Sequence, residues 1–180
     1  MKPDEATLVK ACLKHDQKAC RQLYDTYAPQ MFGICLRYAR SREHAEDLLH
    51  DGFIKVFENL HKLHDTTHIA AWIRSVMIHN AVSSLRRERN LEAVTEITDD
   101  NNMFYSSDDI YAKIDVEVIM QAIQQLPTAY RMAFNLCEIE GYSYPEAAKH
   151  LGIGESTVRS NFFRARQILA QKLKGGFKNV

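Results

Sequence analysis

Between positions 45 and 60 the apolar residues Ala45, Leu48, Leu49, Phe53, Val56, Phe57 and Leu60 all fall on one face at about 100° per residue. The opposite side carries His44, Asp47, Asp51, Lys55 and Glu58. A strand would send neighbours such as Leu48 and Leu49 to opposite faces, so this pattern demands a helix with one buried side. Comparable periodicity recurs through most of the chain. Only 7 glycines and 4 prolines are spread over 180 residues, which leaves little material for the turns of an all-β protein. The expected fold class is all-α.

Local signals divide the pattern into elements. Asp4 and Asp16 are N-cap candidates and open predicted helices at 5–13 and 17–28. Pro29 is expected to break the second, with a third helix at 29–40. A helix at 42–60 follows, then a polar loop at 61–67, then a helix at 68–88 that buries Trp72, Ile73, Val76 and Met77. Further helices are expected at 111–125, 127–138, 143–151 and 155–173. Pro127 suits a first helical turn and Gly141 suits a stop.

The stretch 92–110 lacks this periodicity and is rich in Asp, Asn and Ser, which reads as a flexible linker. Two helical domains are therefore expected, at 1–91 and 111–176. The formal net charge is +0, which taken alone argues against a strong nucleic-acid binder. That average hides a segregation. Residues 91–117 hold eight acids against Lys113, whereas residues 154–180 hold six bases against Glu155. An acidic middle and a basic end point to a modular chain. The acidic stretch could fold back on the basic end and mask it, or imitate the charge of RNA. No apolar run approaches the roughly 18 residues of a membrane span, and the first residues lack the apolar core of a signal peptide. Cys12, Cys20, Cys35 and Cys137 form no CxxC pair, so free thiols and a cytoplasmic location are expected.

Residues 142–173 read as a helix-turn-helix. Ala147, Ala148 and Leu151 form the inner face of a first helix, and the small alanines permit close crossing. Gly152, Ile153 and Gly154 make the turn, with Ile153 pointing inward. Val158, Phe162, Ala165 and Leu169 line the inner face of a second helix begun by Glu155 or Ser156. Its other face presents Ser156, Arg159, Ser160, Phe163, Arg164 and Gln167, a row of donors suited to the major groove. Phe163 is out of place on a merely solvated face, and could touch a thymine methyl or a deoxyribose.

The stretch Gln125-Leu126-Pro127-Thr128-Ala129-Tyr130-Arg131-Met132-Ala133-Phe134, continued by Glu140-Gly141-Tyr142-Ser143-Tyr144-Pro145-Glu146-Ala147-Ala148, closely resembles region 4 of the sigma-70 family in its small extracytoplasmic-function (ECF) type. The run Ala45-Glu46-Asp47-Leu48-Leu49-His50-Asp51-Gly52-Phe53-Ile54-Lys55-Val56-Phe57, with Ala71-Trp72-Ile73-Arg74, Asn80 and Arg86-Arg87, resembles region 2 of the same family. No counterpart of region 3 or region 1.1 is visible, which points to the short group. The resemblance implies a subunit that joins core RNA polymerase, directs it to promoters and helps open the DNA. Region 2 would dock on the β′ clamp helices and capture the unwound −10 element. Region 4 would sit on the β flap and read the −35 element. An anti-sigma factor is a further expected partner, which could also hold the chain at a membrane into which it does not itself insert.

Carried onto this sequence, Asp47, His50, Asp51 and Phe53 would bind core polymerase. An acidic stripe repels phosphates and suits a basic protein partner instead. The family commonly has Gln where His50 stands, which would let polymerase affinity vary with pH. Gly52 lies mid-helix, at a cost of roughly 1 kcal/mol relative to Ala, and could admit a partner helix. For the −10 element the candidates are Asn59, His61, Lys62, His64, Asp65, Arg74, Asn80, Arg86 and Arg87. The loop residues offer donors and acceptors to a splayed base. The arginines suit phosphates, Trp72 is more a core anchor than a stacking surface, and Asn80 could as well bond internally. For the −35 element they are Ser156, Thr157, Arg159, Ser160, Phe163 and Arg164, with Asn161 standing where a basic residue is frequent. His61, His64 and His68 lack the complementary ligands of a metal site, so neither metal nor cofactor is expected. The competing reading is a conventional dimeric helix-turn-helix regulator on a palindrome. An enzyme with a DNA-binding tail would need a nucleophile–base pair, a phosphate loop or a metal cluster, and none is visible.

Overall fold

The computed structural model describes residues 4–92 and 116–176, and every regular element among them is helical. The helices are α1 (Glu5–Leu13), α2 (Gln17–Tyr38), α3 (Arg42–Asn59), α4 (Ile69–Glu92), α5 (Val116–Gln124), α6 (Thr128–Phe134), α7 (Tyr144–Leu151) and α8 (Glu155–Gly176). They divide into two compact units, residues 1–83 and 84–180. Most of the expected acidic linker, and the first residues of the helix expected from 111, lie outside the described residues.

In the first unit α1, α2 and α3 pack around Leu8, Leu23, Met31, Ile34, Leu48, Phe53 and Val56, joined by Ile69, Ile73 and Met77 of α4. At roughly 1.5–3 kcal/mol per large apolar side chain, this burial is what makes the helices stable. Asp16 caps α2 by accepting from the backbone N–H groups of Lys18 (2.8 Å) and Ala19 (3.2 Å). Ser41 caps α3 by accepting from His44 N–H at 3.2 Å.

Pro29 does not break α2 as expected; Gln17–Tyr38 is a single helix. Its buried residues Leu23, Tyr27, Ala28, Met31, Ile34, Cys35 and Tyr38 keep one helical face running through position 29, while Pro29 itself is exposed. Core packing along that face outweighs the roughly 3 kcal/mol proline penalty. The loop at 61–67 is also more ordered than its composition implied. It contains two 3₁₀ turns, Leu60–Lys62 and Thr66–His68, and α1 packs against both.

Gly52 is buried where α3 crosses α4. A Cβ there would overlap the Met77 sulfur and stand 3.6 Å from Asn80 Nδ2. The close approach that the glycine permits is therefore to the chain's own α4, not to a partner helix.

In the second unit Ala122, Ile123 and Leu126 pack against Ala165 and Leu169 of α8, with Ile119, Tyr130, Phe134 and Ile168 around them. Pro127 precedes the first helical residue rather than occupying the first turn, with φ −50° and ψ 142°, and its carbonyl accepts from Arg131 N–H at 2.9 Å. The Arg131 side chain is 1% exposed and its Nη1 donates to the carbonyls of Gln124 (2.7 Å) and Leu126 (3.2 Å). It thus satisfies backbone acceptors that the end of α5 would otherwise leave open. After Phe134 the helix widens into one π-type turn, Asn135–Ile139, which Gly141 ends at φ 76°.

Two stability changes follow from the first unit. Pro29→Ala should raise its unfolding free energy by about 1–3 kcal/mol in urea titration, because the ring is exposed and only its backbone penalty is removed. Gly52→Val should lower it by about 1–3 kcal/mol, because the added side chain would displace Met77, which is 1% exposed in the core.

Candidate nucleic-acid and polymerase interfaces

The helix-turn-helix is built by a capping box and a left-handed turn. The Glu146 carboxylate accepts from Ser143 N–H (2.9 Å) and Ser143 Oγ–H (2.6 Å) at the start of α7. These two donors hold its pKa below the usual carboxylate range. Gly152 closes the helix at φ 64°, a conformation glycine adopts without strain. Ala147, Leu151, Val158 and Ala165 then meet in the crossing and are fully buried, which fixes the roll of α8.

That roll exposes Ser156, Thr157, Arg159, Ser160 and Phe163 together. Phe163 is 51% exposed, a large aromatic ring left in water beside a cation and two hydroxyls. The Arg159 guanidinium bonds to Glu155 at 2.9 Å and lies 5.2 Å from the centre of the Tyr144 ring. Glu155 and Tyr144 were absent from the sequence-derived candidates. Glu155 was legible as an i,i+4 partner, but Tyr144 is brought beside Arg159 only by the crossing of α7 and α8. Arg164 is half-buried, and its Nη1 donates to the Tyr130 hydroxyl at 3.1 Å, so at least one of its donors already serves α6. Asn161 is 9% exposed and buried on the core side, so its side chain does not stand on the face that holds Arg159.

In the first unit Asp47, His50, Asp51 and Glu58 are exposed along one side of α3. Ile54 lies among them and is 44% exposed, an apolar side chain that periodicity alone did not single out. Phe53, expected in the same set, is corrected. It is 2% exposed and packs on Tyr24 with ring centres 4.5 Å apart, so it supports the acidic face from inside.

The loop candidates separate by geometry. His61, Lys62 and His64 are exposed. Asn59 donates to the Lys55 carbonyl (2.8 Å) and accepts from Lys62 Nζ (2.6 Å). Asp65 accepts from Thr67 N–H (2.9 Å) and Thr67 Oγ1 (2.7 Å), which keeps its carboxyl ionised below the usual range and shapes the Thr66–His68 turn. Asn80 is 2% exposed. It donates to the Leu48 carbonyl at 3.0 Å and accepts from Lys55 Nζ at 2.5 Å. Of the two readings open for it, a DNA contact or an internal bond, the internal bond is present, as a clamp between α4 and α3. Trp72 and Arg74 are half-buried, as is Arg86, while Arg87 is exposed. Among the described residues no group of histidines, cysteines and carboxylates is arranged to hold a metal ion, and no helix is long and apolar enough to cross a membrane.

Comparison with known proteins decides the family. Residues 23–91 match the family described as Sigma-70 region 2, and residues 117–169 match Sigma-70, region 4. The chain belongs to the sigma-70 family, in its ECF group. It is 27% identical to the RNA polymerase sigma-H factor of Pseudomonas aeruginosa, over 93% of this chain and 92% of that one. It is 26% identical to the ECF RNA polymerase sigma factor SigM of Mycobacterium tuberculosis, covering 98% of this chain and 87% of the relative. Its fold resembles the sigma factor RpoE of Bartonella quintana, solved in complex with the anti-sigma factor NepR, at a TM-score of 0.53 and 22% identity over 86% of this chain and 96% of that one. As a sigma factor the chain is a recognition subunit of transcription initiation, not an enzyme.

The capping box gives a pH dependence with a definite sign. The Glu146 pKa is depressed in the folded state, so its contribution is present above the unfolded value near 4.5 and is lost as pH falls through the lower folded value. Glu146→Gln should flatten the acid limb of the unfolding profile of the second unit between about pH 5 and 3. An unchanged limb, followed by circular dichroism, would show that the cap does not govern it.

Proposed function

We propose that this sigma factor recognises promoters at two points while fixed to core RNA polymerase. The observation that carries the reading is the exposed row Ser156, Arg159, Ser160 and Phe163 on α8, with Arg159 held in place by Glu155 and Tyr144. A helix that lies in the major groove reads base edges with side chains from one face. Holding the guanidinium between a carboxylate and a ring lowers the entropy lost when it binds. This face reads duplex DNA at the −35 element, with Ser156 and Thr157 at the phosphates and Phe163 against a methyl or sugar.

The first unit engages polymerase and the melted strand. Asp47, His50 and Asp51, with Ile54 one turn further along α3 and Glu58 beyond it, form a surface for the basic side of the β′ clamp helices. A desolvated apolar anchor inside a charged rim is the arrangement that gives protein interfaces their affinity. His61, Lys62 and His64 offer exposed donors to an unwound −10 base. Arg74 meets phosphates, as do Arg86 and Arg87 of the second unit, where Arg86 also donates to the His150 carbonyl at 3.2 Å, and Asn59 and Asp65 hold the loop in shape. The region 4 unit also docks on the β flap. An anti-sigma factor controls access to these surfaces, by analogy with the Bartonella quintana complex, and the chain works in the cytoplasm.

Reconstituted transcription tests the proposal. The full chain should co-elute with purified core polymerase and support initiation from a subset of genomic fragments. Arg159→Ala and Phe163→Ala should each lower promoter-specific transcripts by about 5- to 100-fold, the equivalent of about 1–3 kcal/mol of recognition, without loss of co-elution. Asp47→Lys with Asp51→Lys should abolish co-elution and leave the helical content unchanged. A chain that binds a palindrome as a dimer and ignores core polymerase would overturn the reading.

A further inference from the structure

The corner between α1 and α2 brings two cysteines together through an unbroken series of hydrogen bonds. Asp16 N–H donates to the Ala11 carbonyl (3.2 Å) and His15 N–H to the Cys12 carbonyl (2.9 Å). His15 sits at φ 60°, so the pair of bonds forms the left-handed closure that usually takes glycine. The Asp16 side chain then caps α2, and the Asp16 carbonyl accepts from Cys20 N–H at 2.9 Å. This tight corner brings Cys12, in the last turn of α1, near Cys20, in the first turn of α2, close enough for the Cys20 thiol to help raise the Cys12 pKa. Cys12 is buried and Cys20 is half-buried.

We propose that Cys12 and Cys20 are a reversible dithiol–disulfide couple, oxidised by hydroperoxides, that staples α1 to α2. The half-buried member reacts first. The Cys20 thiolate attacks the terminal peroxide oxygen, the O–O bond breaks, and the alkoxide or hydroxide leaves to take a proton. Cys20 becomes a sulfenic acid. The Cys12 sulfur then attacks the Cys20 sulfur; the S–O bond breaks, and the hydroxyl leaves as water with the Cys12 proton. Two thiols and one hydroperoxide give one disulfide, one alcohol or water, and one further water. Each sulfur loses one electron and the peroxide bond accepts both.

The division of roles follows from exposure. Burial, with Cys20 and Asp16 alongside, pushes the Cys12 thiol up to about 12, so it keeps its proton until a sulfenic acid forms next to it. Cys35 is raised to about 12 by burial inside α2, and Cys137 belongs to the other unit, so both serve as internal controls. The staple bears on function through position. α1 packs against the Leu60–Lys62 and Thr66–His68 turns, so the bond restrains the helix behind that loop.

The test uses the full chain as purified under reducing conditions, treated with hydrogen peroxide, then denatured, alkylated and digested with trypsin. The expected product is a linked pair of peptides, residues 11–14 with 19–21, that separates on dithiothreitol treatment. Cys35 and Cys137 should remain alkylated. In Cys12→Ser, Cys20 should accumulate as a sulfenic acid that dimedone labels, and Cys20→Ser should leave Cys12 alkylatable. The oxidised wild-type chain should unfold several degrees higher than the reduced one, roughly as a short loop closure implies. Over-oxidation of Cys20 with Cys12 still alkylatable, disulfides between chains instead of within one, or four alkylatable thiols after treatment would each overturn the proposal.

Discussion

The crossing of α3 over α4 at Gly52 is the constraint on which the first unit depends. With no side chain at that position, Met77 and Asn80 of α4 approach the α3 backbone directly. Asn80 then reaches the Leu48 carbonyl and Lys55 Nζ, so one buried amide fixes both the depth and the register of the crossing. Phe53 goes into the core against Tyr24 as a result, and Asp47, His50, Asp51 and Ile54 are turned outward. The acidic face is thus a consequence of the packing beneath it. The same helix ends by feeding Lys55 and Asn59 into the chain of hydrogen bonds that reaches Lys62 in the following loop.

The second unit uses a different device for the same end. Its recognition helix is oriented by small residues in the crossing and by caps at the turn, so little of the exposed row of α8 contributes to stability. Ser156, Ser160 and Phe163 are free to serve binding because Ala147, Val158 and Ala165 hold the helix in place. Arg159 is the exception, since Glu155 and Tyr144 engage it before any DNA arrives. A bound phosphate or base must compete with Glu155, which favours sites that offer more than one contact at once.

Much of this was legible in the sequence. The periodicity of Ala45 through Leu60 predicted α3 and its buried face, and Asp16 and Ser143 sat where helices begin. Arg159, Ser160, Phe163 and Arg164 were named both by α8 geometry and by family resemblance. Where the readings parted from the structure, a tertiary contact had overridden a local rule. Pro29 signals a break, but the buried stripe on either side of it holds one helix together. Asn80 and Phe53 carry chemistry that suits a partner, yet each is taken up by the interior. Asn161 was placed on the DNA side by resemblance, yet it is buried beside Val158 and Ala165, and Arg164, on the outer face by spacing, is half-buried and bonded to Tyr130.

By itself the sequence determined the helical class, the positions of most of the described helices, the acidic stripe, the helix-turn-helix and the family. These are properties of single elements, set by the period of their apolar residues and by caps that act over three or four positions. Only the tertiary structure decided which polar side chains remain available for a partner and which close the fold. It also decided that Cys12 meets Cys20, Tyr144 meets Arg159, and Gly52 receives α4 instead of a foreign helix. Each of those meetings joins residues from different helices. The periodicity of one helix cannot encode the distance to another, because that distance is set where their side chains interlock.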